Sequence, residues 1–249
     1  MTRRPDHDPG PESGGSPVAT PIEVDDPAGD GARQHGPMPV WQEMALLLGV
    51  ALVLAVLIKA FFMQAFYIPS ASMNDTLVEN DRILVQKVGY WGGDPSRGDV
   101  VVFSDPGGWL GAAESEAAGN PLARGLELVG LYPTGGHLVK RVIGVGGDEV
   151  VCCDPEGRIS VNGTPLAERP YLAVGEKPSI VDFDVRVKPG YVWVMGDNRS
   201  GSADSRAHLG DPGGGQVPVD DVVGKVFAVV WPAGHAKTLK TPATFSSVP

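Results

Sequence analysis

Only two cysteines occur in the 249 residues, Cys152 and Cys153, and they are neighbours. Geometry disfavours a bond between adjacent cysteines. In a strand the pair reads as two small residues, one facing each side; a vicinal disulfide or an intermolecular bridge is the alternative. No Cys/His set has zinc-ligand spacing, so no metal is expected, and nothing implies an organic cofactor. Basic charge is also scarce. The chain holds 20 Lys and Arg against 30 Asp and Glu, a net charge of −10, with no basic stripe, which argues against a nucleic-acid partner. Of the five histidines, His7 and His35 lie near the N-terminus, leaving His137, His208 and His235 for chemistry. None sits in a recognisable triad motif; there is neither a G-x-S-x-G elbow nor an S-x-x-K pair.

What is present divides the chain. Residues 1–38 are rich in Pro, Gly and Asp and nearly free of aromatic residues. Such a segment buries too little apolar surface to offset its ordering entropy, so a disordered acidic tail is expected. Residues 41–66, WQEMALLLGVALVLAVLIKAFFMQAF, have only Lys59 and Gln64 as strongly polar side chains after Met44. A hydrocarbon core needs about 20 apolar residues, so this run predicts a single transmembrane helix. A cleaved signal peptide fits less well, because the run is long, starts far in and has no basic region just before it. Lys59, near the far end, is placed to snorkel to the interface. Flanking charges do not settle the topology.

Beyond the run the apolar period changes to two. RILVQKV (82–88), DVVVF (99–103), HLVKRVIGV (137–145), DEVVCC (148–153), DFDVRV (182–187), YVWVM (191–195) and VVGKVFAVVW (222–231) read as strands. Asn162-Gly163, inside RISVNGTPL, is a hairpin signal. The fold class is therefore mainly β, with a principal domain over 67–235 and a C-terminal tail over 236–249. A Gly- and Ala-rich insert over 104–136 holds a short helix capped by Asn120 with Pro121 in its first turn.

Three stretches carry possible chemistry. YIPSASMNDTL (67–77) presents Ser70 and Ser72 directly after the apolar run. A serine nucleophile needs a base and donors for an oxyanion. Lysine serves as base when burial keeps it neutral. Lys140, in LVKRVIGVGGD, shares a face with Leu138 and Val142 under strict alternation while Arg141 points to the other face; an exposed position on an edge strand is the alternative. MGDNRSGSADSR (195–206) is a polar loop that misses the EF-hand pattern, since Arg206 stands where a glutamate is needed.

Taken in order behind an apolar anchor, PSASM with TL, GDVVVF, KRVIGVGGD and GDNRSGSADSR resemble the bacterial type I signal peptidases over roughly 41–231. The resemblance implies an extracytoplasmic antiparallel β domain of signal-peptidase type on a single-pass anchor in the plasma membrane, with the tail cytoplasmic. It implies a serine endopeptidase that removes signal peptides from exported preproteins after small-residue, A-x-A-like sites. By position, Ser72 matches the nucleophile and Lys140 its general base. Ser70 matches the oxyanion-hole hydroxyl, working with the backbone N–H of Ser72. Ser202 matches the serine that orients the lysine amine, Asp204 and Arg206 the pair that holds the loop, and Gly196 and Asn198 its shaping positions. Ile68, Pro69, Met73, Leu77 and Val139 are the implied substrate-pocket residues, with the substrate binding as an extended strand at a sheet edge. The implied partners are signal peptides and the lipid bilayer. Asp75 stands where the family often has proline, and Gly201 where it often has asparagine. Two other classes compete: a self-cleaving repressor of related fold, which lacks a DNA-binding segment here, and a non-enzymatic anchored β domain.

Overall fold

The computed structural model describes residues 39–87, 90, 93–111 and 136–249. The expected tail over 1–38 and the expected helix after Asn120 lie outside these residues. The chain divides into two units at Leu46/Leu47, and all the strands among the described residues belong to the second.

The apolar run begins as helix α1, Val40–Phe62. Trp41, Leu47 and Leu54 on it are exposed. Among the described residues no helix is long and apolar enough to cross a membrane. The run does not stay helical to Phe66. Met63–Tyr67 form β1, because they pair with β2, Arg82–Gln86, and Phe66 is buried there.

The remaining strands are β3 (Val100–Ser104), β4 (His137–Val145), β5 (Glu149–Cys152), β6 (Ile159–Val161), β7 (Thr164–Pro165), β8 (Phe183–Arg186), β9 (Tyr191–Met195), β10 (Val217–Pro218), β11 (Val222–Trp231) and β12 (Lys237–Thr238). One sheet has the order β1-β2-β11-β3-β4-β9-β10, with β12 added to β11; the other has the order β7-β6-β5-β8. Among the described residues every pairing is antiparallel. Asn162 and Gly163, with φ of 50° and 74°, form the two-residue turn between β6 and β7. Both have the positive φ that such a hairpin turn demands.

The alternating pattern builds the core. Trp193, Met195 and Ile143 of the larger sheet pack with Val150, Ile159 and Val161 of the smaller one. A second cluster gathers Phe66, Ile83, Val85, Val102 and Val226 with Met73 and Leu77 from the turn after β1. The C-terminal segment joins the fold: beyond β12, Phe245 and Val248 are buried in the first cluster. Cys152 and Cys153 are bonded to each other. The expectation of two separate strand residues is corrected accordingly.

β4 lies between β3 and β9, so it is an inner strand. Lys140 pairs with Val101, and Arg141 pairs with Val100 on one side and Met195 on the other. The edge-strand alternative for Lys140 is thereby excluded. β9 ends at Met195, opposite Arg141, so the polar loop from Gly196 leaves the sheet beside the lysine.

Candidate active site

The segment after β1 runs extended through Ile68, whose N–H and carbonyl bond to the turn at Asp81 and Asn80. It then closes into a single 3-10 turn over Ala71–Met73. Met73 and Leu77 anchor this turn in the core, each at most 1% exposed. The turn delivers Ser72 to β4. Lys140 Nζ lies 2.7 Å from Ser72 Oγ, and Ser70 Oγ lies 3.3 Å from the same hydroxyl. Ser72 and Lys140 are both buried, whereas Ser70 is exposed.

Burial dominates the chemistry of Lys140. It lowers the ammonium pKa from its ordinary 10.5 to about 8; Asp204 and Asp197 oppose the change and Arg206 assists it. An amine so placed reaches its neutral form near working pH and can take a proton from a hydroxyl within hydrogen-bond distance.

The 196–206 loop is held by buried charges. Arg206 donates from Nε to Asp204 Oδ1 at 2.9 Å and from Nη2 to Asp204 Oδ2 at 2.8 Å. Asp204 also accepts the Gly196 N–H at 2.9 Å. Asn198 ties the loop to the serine turn: its backbone N–H donates to Ser72 O at 3.1 Å and its side-chain amide to Ala71 O at 3.0 Å. Gly196 has no room for a side chain, because a Cβ there would meet Ser202 Oγ and stand 2.5 Å from Ser72 O. Ser202 Oγ is buried and has no hydrogen-bond partner among the described residues.

The five nominated pocket residues do not share one environment. Ile68, Met73 and Leu77 are closed into the second core cluster, with Val139 partly buried against it, while Pro69 is exposed. Their apolar character serves packing first, and only Pro69 and Val139 retain accessible surface.

Further pairs brace the site, and of their residues only Asp75 stands out in the sequence. Arg141 forms a two-pronged pair with Asp197 at 2.8 and 2.6 Å and stacks over the Tyr171 ring at 4.4 Å. Arg199 pairs with Glu168 at 2.6 Å, and Glu168 also accepts the Tyr171 hydroxyl at 2.9 Å. Asp75 accepts the Val174 N–H at 2.7 Å. A signal was present for Arg141: a second cation in an apolar strand requires a buried acid.

The family model described as signal peptidase, peptidase S26, matches residues 41–231, well over half of the chain. This chain belongs to the signal peptidase family, peptidase S26. Among signal peptidase relatives, "Signal peptidase I" of Mycobacterium tuberculosis (strain ATCC 25618 / H37Rv) is 42% identical over 215 residues, spanning 77% of this chain and 72% of the relative. "Probable signal peptidase I" of Mycobacterium leprae is 37% identical over 246 residues, spanning 85% and 84% respectively. "Signal peptidase I U" of Bacillus subtilis is 30% identical over 204 residues, spanning 78% and 91%. A crystal structure of a signal peptidase I from Enterococcus faecalis V583 is 24% identical, covers 53% of this chain and 97% of its own, and superposes with a TM-score of 0.33.

Proposed function

We propose that this chain is a membrane-anchored serine endopeptidase that removes N-terminal signal peptides from exported preproteins after A-x-A-like sites. The observation that carries the reading is the 2.7 Å approach of Lys140 Nζ to Ser72 Oγ in a buried setting. The neutral amine of Lys140 takes the hydroxyl proton as Ser72 Oγ attacks the scissile carbonyl. The backbone N–H of Ser72 and the Ser70 hydroxyl hold the developing oxyanion, a donor of this kind contributing about 3 kcal/mol. The resulting ammonium gives its proton to the leaving amine, and the acyl-enzyme remains on Ser72. Water then attacks the ester, Lys140 takes the water's proton, and collapse returns that proton to Ser72 Oγ. The resemblance assigns Ser202 to aim the amine, although its buried hydroxyl makes no hydrogen bond to Lys140 in this structure. Asp204, Arg206, Gly196 and Asn198 keep the loop and the serine turn in register.

The substrate binds as an extended strand. Small side chains are expected to pack beside Pro69 and Val139, the nominated residues that are not closed into the core. The apolar segment ahead of β1 anchors the enzyme in the plasma membrane, with the tail cytoplasmic and the β domain outside, so the site meets the substrate where its own apolar segment ends. The test is mass spectrometry of the mature N-terminus after the purified protein, in detergent, acts on a preprotein. One cut directly after A-x-A, lost when the last alanine becomes a bulky residue, is the expected result. Cleavage indifferent to that residue overturns the specificity.

A further inference from the structure

We propose that Asp75 is a positioning residue whose carboxylate closes a ring of hydrogen bonds around the turn that carries Ser72. The inference rests on the peptidase reading for its effect on rate. The ring has three hydrogen bonds. Asn198 N–H donates to Ser72 O at 3.1 Å, Ala173 N–H donates to Asp197 O at 3.0 Å, and Val174 N–H donates to Asp75 Oδ2 at 2.7 Å. Short stretches of chain from Asp197 to Asn198, Ala173 to Val174 and Ser72 to Asp75 complete the circuit.

Asp75 is built for this place. Its φ is 72°, a left-handed conformation that non-glycine residues adopt mainly when, like Asp and Asn, they are short and polar. Its carbonyl oxygen also accepts Lys237 Nζ at 3.2 Å. Among the described residues no other hydrogen bond joins segment 70–77 to segment 172–181. The far side of the ring is firm, because the 172–181 loop is tied to the 196–206 loop several times. Glu176 accepts from Ser200 N–H at 2.8 Å and from the Ser200 hydroxyl at 2.5 Å, Arg199 donates to Pro178 O, and Arg206 Nη1 lies 3.4 Å from Ser179 Oγ. Asp75 therefore fastens the serine turn to an already braced wall.

Two variants separate the carboxylate from the backbone. Asp75→Gly keeps the left-handed conformation and the Lys237 contact but removes the acceptor. Asp75→Asn keeps a side-chain acceptor and the tolerance of positive φ. Preprotein cleavage by the full chain in detergent is expected to show kcat about tenfold lower for Asp75→Gly with KM within about twofold of the parent, and kcat within about threefold of the parent for Asp75→Asn. Amide hydrogen exchange is read on the same proteins. Val174 and Asn198 are expected to lose protection in Asp75→Gly and keep it in Asp75→Asn. Parental kcat in Asp75→Gly, a KM effect alone, failure of Asn to rescue, or unchanged exchange at Asn198 overturns the proposal. A parent that cleaves nothing overturns the peptidase reading instead, and the exchange comparison still decides the ring.

Discussion

At the scale of single residues, the lysine governs the pH behaviour. In the proposed mechanism only the neutral amine of Lys140 removes the Ser72 proton, and its pKa is lowered to about 8 chiefly by burial. The rate of cleavage is therefore expected to climb with pH and level off above about 8; a limb near the ordinary value of 10.5 contradicts the buried-base account. The same shift affects stability. Between about 8 and 10.5 the unfolded chain binds more protons at this site than the folded one, so stability rises with pH through that window. Below about 8 the site's penalty is fully present, about 3 kcal/mol for a change from 10.5. Lys140→Met, apolar and similar in length, is expected to be inactive yet to unfold at a higher urea concentration than the parent at pH 7. A lower midpoint contradicts the burial penalty.

At the scale of elements, the 196–206 loop depends on charges that are paired or costly. Asp204 is fully buried and bonded by Arg206 through two nitrogens. Arg206→Ala leaves that carboxylate without its partner, a loss of about 3–5 kcal/mol, and is expected to lower both the urea midpoint and the cleavage rate. An unchanged melting temperature contradicts the pairing. Strands such as Val100–Ser104 and Tyr191–Met195 were legible because alternation and β-branching are local properties, and the Asn162-Gly163 turn was legible because its dihedral demands are local too. The placement of Lys140 was not, since inner and edge strands share one pattern and only the pairing of β4 with both β3 and β9 decides. Arg141–Asp197 and Asp75–Val174 were hidden for the same reason, their partners lying 56 and 99 residues apart. The two-residue strands β10 and β12 carry too little pattern to be read.

At the scale of the whole molecule, an apolar segment leads into a β domain in which the proposed dyad lies. Phe245 and Val248 show that the folded unit extends nearly to the last residue, which no alternation announced. In the proposed placement, the apolar residues ahead of Met63 hold the protein in the bilayer. The full chain is expected to stay with vesicles after an alkaline wash, and a chain begun at Met63 is expected to leave with the soluble fraction; release of both contradicts the anchor. The central claim remains the Ser72–Lys140 dyad. Its most direct test is cleavage of a preprotein bearing an A-x-A site by the parent, Ser72→Ala and Lys140→Ala side by side, with folding checked for each. The account predicts a cut after A-x-A by the parent alone. Cleavage at the parental rate by either variant contradicts it.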